Sequence, residues 1–128
     1  MTIKKILIVD DSAIDREVLT TLLAHHGFEV IAAADGEQGI AMAKAELPDL
    51  VLMDVVMPRI NGFQATRTLA RDAATRHIPI FFCSNLYQEA DRVWGMRQGA
   101  QAYLEKPVKA RDLLDAIGML NEKGAPAA

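Results

Sequence analysis

The chain has 128 residues, of which 51% are hydrophobic, and its fourteen basic and seventeen acidic residues give a net charge of -3. A chain of this size can bury one compact core, so we expect a single domain over residues 1–121 and a flexible tail at 122–128. It lacks both a basic block that could bind nucleic acid and the run of about 20 apolar residues needed to span a bilayer, so we expect a cytosolic protein.

Five short apolar runs, each followed by a helical pattern, succeed one another along the chain. They predict strands at Lys5–Val9, Glu29–Ala33, Leu50–Met53, Ile80–Cys83 and Ala102–Leu104. The lone cysteine, Cys83, falls in the fourth run, which suggests a buried and unreactive thiol.

Helices are expected after each of these strands. The first should face the sheet through Ile14, Val18 and Leu22, with Leu19 and Leu23 beside them, and the last through Leu113, Leu114, Ile117 and Leu120. Between them, Ala-rich helices are predicted at Gly36–Glu46, Gly62–Ala74 and Gln88–Gln98. Ser12 with Asp15, and Asp35 with Gln38, have the spacing of a helix cap and its third residue.

This alternation indicates an α/β fold of the doubly wound, flavodoxin-like (βα)5 type, with helices on both faces of a five-stranded parallel sheet. We expect the strand order 2-1-3-4-5. Open sheets of this kind bind ligands beyond the carboxyl ends of the strands, where the winding reverses between strands 1 and 3.

Acidic residues follow the two strands at that point. Asp10 and Asp11 end the first strand and Asp54 ends the third, so the predicted order brings three carboxylates to one edge. Carboxylates so close would repel one another, and a hard divalent cation relieves that repulsion. Mg²⁺ is the expected metal, because it takes oxygen ligands.

A hydroxyl and a cation end the last two strands, at Ser84 and Lys106. Together with the acids they suit a phosphoryl group, and an aspartate can itself be the nucleophile that accepts one. Asp54 is the candidate for that role, since its strand is central.

The segments "ILIVDDS", "LVLMDVVMPRINGF", "IPIFFCSN" and "GAQAYLEKPV" resemble the receiver domain of two-component response regulators, from about Lys4 to Leu120. The resemblance implies a signalling domain rather than an enzyme. It makes Asp54 the phosphoacceptor, with Asp10, Asp11 and the backbone carbonyl of Val56 as further Mg²⁺ ligands. It also implies that Lys106 contacts the phosphoryl group and precedes a cis peptide bond to Pro107.

The same resemblance implies a switch. Ser84 matches the hydroxyl that moves to the phosphoryl group, and Tyr103 matches the aromatic residue that turns inward. The implied partners are a histidine kinase, as phosphohistidine donor, and a target protein bound through the fourth helix, fifth strand and fifth helix. A narrower resemblance, in "MPRINGFQATR" and "VWGMRQGAQAYLEKPV", is to single-domain regulators of type IV pilus twitching motility, which implies a chemotaxis-type kinase.

Three positions depart from the receiver pattern. Asn85 stands where a small residue usually follows the switch hydroxyl, so access to the site is in question. Val56 and Leu86 occupy positions that influence attack of water on the acyl phosphate, and neither side chain can hold a water. We therefore expect slow self-dephosphorylation.

Three other kinds of function use a similar fold or similar site residues. A phosphatase of the haloacid-dehalogenase type needs an acid or threonine two residues after its nucleophile, where this chain has Val56. A flavodoxin-like cofactor binder needs a phosphate-binding loop rich in hydroxyl and amide hydrogen-bond donors after the first strand. Here that segment is "DDSAID", whose acidic residues would repel a phosphate without a metal. A degenerate receiver, or one that serves only as a phosphate sink, stays open, although the complete set of site residues argues against the degenerate form.

Overall fold

A computed structural model of the chain describes residues 2–86 and 88–123, the side chain of Lys123 excepted. Within those ranges strands and helices alternate strictly. They are β1 (Lys5–Val9), α1 (Ala13–His25), β2 (Glu29–Ala33), α2 (Gly36–Glu46), β3 (Leu50–Asp54), α3 (Gly62–Arg71), β4 (Ile80–Ser84), α4 (Glu89–Arg97), β5 (Ala102–Glu105) and α5 (Ala110–Lys123).

The strands form one parallel sheet in the order β2-β1-β3-β4-β5, which confirms the predicted fold class and strand order. Apart from Lys5 at the start of β1 and the polar residues that end β3 and β4, the three central strands are apolar, because helices cover both faces of the sheet. Alternate residues divide between two cores: Leu7 and Met53 lie on the side of α2 and α3, whereas Ile8 and Leu52 lie on the side of α1 and α5.

The observed bounds differ slightly from the predicted ones. β3, β4 and β5 each extend one residue further than predicted, to Asp54, Ser84 and Glu105. α3 ends at Arg71 and not Ala74, because Asp72 adopts an extended conformation and its carboxylate accepts the Ala74 N–H at 2.8 Å. α4 is one residue shorter than predicted at each end.

The face that α1 presents to the sheet was predicted only in part. Leu19 and Leu23 are buried as expected, but Ile14 and Val18 are 74% and 58% exposed. They lie one turn apart in the first half of the helix, whereas Leu22, one turn further on, packs against the core. The predicted stripe through Ile14 and Val18 is therefore wrong.

The predicted tail at 122–128 begins within α5, which continues through Lys123; residues 124–128 lie outside the described part of the chain. Among the residues described, none of the helices has the length and apolar character needed to cross a membrane. The cytosolic location expected from the sequence stays a prediction.

Candidate functional site

The polar residues predicted for the site come together at the carboxyl edge of the sheet. Asp54 and Ser84 are the last residues of β3 and β4. Asp10 and Lys106 lie one residue beyond β1 and β5, and their backbone N–H groups continue the sheet by donating to Ala33 and Ser84 carbonyls. Backbone hydrogen bonds therefore fix the positions from which these side chains project.

The ammonium of Lys106 lies among three carboxylates. Its Nζ is 2.7 Å from Asp10 Oδ2, 2.9 Å from Asp15 Oδ2 and 3.4 Å from Asp54 Oδ1. Burial alone would lower the pKa of Lys106, but the hydrogen bonds to Asp10 and Asp15 and the charge of Asp54 outweigh it and hold that pKa above its usual value. The lysine is therefore positively charged at neutral pH.

Asp10, Asp11 and Asp54 each offer a carboxylate oxygen within 4.8 Å of the others. Burial raises the pKa of Asp54 from 3.8 to about 6, and the charge of Asp10 adds to the effect while Lys106 opposes it. Asp54 is thus a carboxylate whose ionised form is destabilised in the metal-free protein. A cation bound between these carboxylates would stabilise the ionised form of Asp54.

The donor set fits Mg²⁺. It consists of carboxylate oxygens, which this ion prefers, and Asp11 is exposed, so water can complete the coordination. Val56, whose backbone carbonyl is the remaining predicted ligand, lies two residues after Asp54 and is 60% exposed. Its role as a ligand stays a prediction.

The hydrogen bonds at the start of α1 determine where the carboxylates of Asp10 and Asp15 lie. Ser12 Oγ caps the helix by accepting the Asp15 N–H, as predicted from the spacing. The Ser12 N–H, however, donates to Asp10 Oδ1 at 2.9 Å, so Asp15 makes no reciprocal cap and its carboxylate reaches Lys106 instead. The role of Asp15 at the site was missed, since nothing in the local sequence reveals a partner 91 residues away.

Asn61 and Gly62 join the end of β3 to α3. Asn61 caps α3, and its cap is reciprocated by Gln64. At Gly62, a Cβ would lie 2.1 Å from the backbone oxygen of Asp54. Only glycine allows α3 to pack this closely against the end of β3.

Ser84 and Tyr103 are connected through the backbone of Leu86. The fully buried Ser84 Oγ accepts the Leu86 N–H at 3.0 Å, and the Tyr103 hydroxyl donates to the Leu86 carbonyl. Tyr103 lies inward, 6% exposed, in a space that Gly95 leaves open, since a Cβ there would approach the ring to 2.7 Å. The two predicted switch residues therefore contact the same loop.

The positions that depart from the receiver pattern lie at the surface around the site. Asn85 is exposed, and Val56 and Leu86 are 60% and 46% exposed. The peptide bond between Lys106 and Pro107 is cis, as the resemblance implied. Cys83 is buried, and burial raises the pKa of its thiol to about 12, which agrees with an unreactive cysteine.

Comparison with known proteins agrees with this geometry. Residues 6–118 match the family model described as the response regulator receiver domain. The chain is 52% identical to the protein PilH of Pseudomonas aeruginosa over 113 residues, which cover 88% of this chain and 93% of PilH. It is 40% identical to the response regulator PleD of Caulobacter vibrioides over 81% of this chain, but only 23% of PleD is covered.

Solved structures show the same fold. The chemotaxis protein CheY4 of Vibrio cholerae matches with a TM-score of 0.85 at 29% identity, over 92% of this chain and 98% of that one. CheY of Borrelia burgdorferi, in a crystal structure of its complex with CheX, BeF₃ and Mg²⁺, matches with a TM-score of 0.86 at 26% identity, over 92% and 89% of the two chains. The chain belongs to the response regulator receiver domain family.

Proposed function

We propose that this receiver accepts a phosphoryl group on Asp54 from the phosphohistidine of a kinase, with Mg²⁺ bound at Asp10, Asp11 and Asp54, and thereby changes a protein-binding surface. The observation that carries the proposal is the position of Asp54. Its buried carboxylate ends the central strand beside the carboxylates of Asp10 and Asp11, and the ammonium of Lys106 lies 3.4 Å from it. A nucleophilic carboxylate beside both a cation and potential metal ligands suits the transfer of a phosphoryl group to an aspartate.

In the proposed transfer, an oxygen of the Asp54 carboxylate forms a bond to phosphorus while the bond between phosphorus and the imidazole nitrogen breaks. The nitrogen keeps the electron pair of the broken bond. Lys106 offers its N–H donors to the phosphoryl oxygens, whose negative charge it partly neutralises. Bound Mg²⁺ would supply further positive charge at the same oxygens.

Asp54 reacts as a carboxylate, so its protonation state controls the reaction. With a pKa of about 6 the group is mostly ionised at neutral pH even without metal. A cation bound by Asp10, Asp11 and Asp54 would favour the ionised form of Asp54 further. Asp54 is therefore mostly in its nucleophilic, ionised form at neutral pH.

The relatives support the chemistry and suggest its biological setting. The Borrelia complex of CheX and CheY was crystallised with Mg²⁺ and BeF₃, a group whose shape and charge resemble those of a phosphoryl group. Identity of 52% to PilH over most of both chains supports a role like that of the twitching-motility regulators, with a chemotaxis-type histidine kinase as donor. Because the match covers 93% of PilH, we propose that the output of this receiver is likewise contact with a target protein.

The proposed output surface is the face formed by α4, β5 and α5. Tyr103 of β5 packs against Gly95 of α4. Ser84 and Tyr103 both hydrogen-bond to the backbone of Leu86, so a movement of Ser84 can be transmitted through Leu86 and Tyr103 to α4. On α4, Val93, Trp94 and Met96 expose apolar surface that a target protein can bind.

Intact-mass spectrometry after incubation with acetyl phosphate tests the proposal. We expect one phosphate adduct that forms with Mg²⁺, does not form when EDTA is present from the start, and is absent from Asp54→Asn. Asp115→Asn is the matched control, because this carboxylate on α5 is 72% exposed and remote from the site. Absence of an adduct from the native protein would contradict the proposal and leave the degenerate receiver as the better description.

A further inference from the structure

One carboxylate that contacts Lys106 lies outside the predicted metal-binding group. Asp15, in the first turn of α1, accepts a hydrogen bond from the Lys106 ammonium at 2.9 Å. The bond is nearly as short as the one to Asp10, at 2.7 Å, whereas the contact with Asp54 is longer, at 3.4 Å. The ammonium is therefore held by its two neighbours more closely than by the proposed phosphoacceptor.

The helix does not need the carboxylate of Asp15 for its cap. Ser12 caps the helix through the backbone N–H of Asp15, and Asp10 takes the N–H of Ser12. The Asp15 side chain is 40% exposed, and ion pairs this accessible to water contribute little to folding. Its pairing with a site lysine is better explained by an effect on that lysine.

We propose that Asp15 is a positioning residue that competes with the incoming phosphoryl group for the Lys106 ammonium and so slows phosphorylation of Asp54. This inference rests on the proposed function. The phosphoryl oxygens need the N–H donors that Lys106 now directs to Asp10 and Asp15. The charge of Asp10 would be balanced by the metal, whereas that of Asp15 is balanced by Lys106 alone among the described contacts.

Electrostatic repulsion acts in the same direction. Asp15 lies at the rim of the site, where its negative charge opposes the approach of an anionic phosphodonor. Removal of that charge therefore increases the reaction rate both by releasing Lys106 and by reducing the repulsion. Because the residue is partly exposed, we expect an effect of roughly threefold to fivefold, the upper range for such ion pairs.

The test compares initial rates of adduct formation with acetyl phosphate and Mg²⁺ for four proteins. In this reaction Asp54 forms a bond to phosphorus, the bond from phosphorus to the acetyl oxygen breaks, and acetate leaves with the electron pair. Asp15→Asn should react roughly threefold to fivefold faster than the native protein, and Asp15→Glu, which restores the charge, should stay within about twofold of it. Glu17→Gln removes a charge of the same sign from an exposed position of the same helix and should leave the rate unchanged.

An equilibrium measurement separates this effect from a change in folding. Titration with beryllofluoride and Mg²⁺, followed by ¹⁹F NMR, should show tighter binding to Asp15→Asn by the same factor, with melting temperatures of all four proteins close to one another. Asp15→Ala serves as a second neutral variant, since neither substitution removes the backbone N–H that Ser12 caps.

Each result has a distinct meaning. An Asp54-dependent adduct that forms at the native rate, or more slowly, in Asp15→Asn would overturn the inference and leave the proposed function intact. An equal acceleration in Glu17→Gln would also overturn it, because the effect would then come from net charge and not from the contact with Lys106. Failure of the native protein to form any adduct would refute the proposed function, and this inference with it.

Discussion

The ionised carboxylate of Asp54 should destabilise the metal-free fold, and Asp54→Asn should remove that destabilisation. Burial first, and then the charge of Asp10, raises its pKa from 3.8 to about 6. A group whose pKa is higher in the folded than in the unfolded state stabilises the fold fully below the lower value and loses that contribution as the pH rises through the higher one. The two values differ by about two pH units, which corresponds to about 3 kcal/mol.

The assay is urea unfolding followed by circular dichroism, in EDTA, at intervals from about pH 3 to about pH 8, a range that includes both pKa values. At the acid end the native protein and Asp54→Asn should have similar free energies of unfolding, because the aspartic acid is neutral there. At the alkaline end the variant should be more stable, by up to about 3 kcal/mol. Asp115→Asn, an exposed carboxylate, should follow the native curve throughout.

A constant difference between Asp54→Asn and the native protein over the whole pH range would refute this reasoning. It would mean that Asp54 ionises in the fold as easily as in the unfolded chain. The repulsion among Asp10, Asp11 and Asp54 would then be too weak to favour a bound cation, whatever the outcome of phosphorylation experiments.

Three further outcomes are expected. Mg²⁺ at a hundred times its dissociation constant should raise the free energy of unfolding by about 2.7 kcal/mol, measured by urea titration, and EDTA should reverse the change. Gly62→Ala should lower the free energy of unfolding by about 2 kcal/mol or more, because the new Cβ would clash with the Asp54 carbonyl. Gly118→Ala, on α5 with open space around it, should be neutral or stabilising by up to about 1 kcal/mol. Equal effects of the two substitutions would contradict the packing argument. Val56→Asn and Leu86→Glu should each hasten loss of the phosphoryl group about fivefold by giving the attacking water a hydrogen bond of about 1 kcal/mol, and decay at the native rate would contradict the expected slow self-dephosphorylation.

Much of the fold could be predicted from local patterns. β1 and β2 have the predicted bounds, and Ser12 and Asp35 cap the helices that were expected to begin there. Both kinds of feature depend on residues a few positions apart, whose backbone spacing is the same in any protein. The juxtaposition of Asp10 and Asp54 followed as well, because the carboxyl ends of neighbouring parallel strands lie at one edge.

The remaining features depend on contacts between distant parts of the chain. Ile14 and Val18 have helical spacing, yet their exposure is decided by how α1 lies on the sheet. Asp15 has the spacing of a capping residue, yet it pairs with Lys106 because β1 and β5 bring the two residues to the same edge. Gly62 is needed because α3 packs against the end of β3. Such contacts are set by the relative placement of whole elements, about which the spacing of residues within one element carries no information.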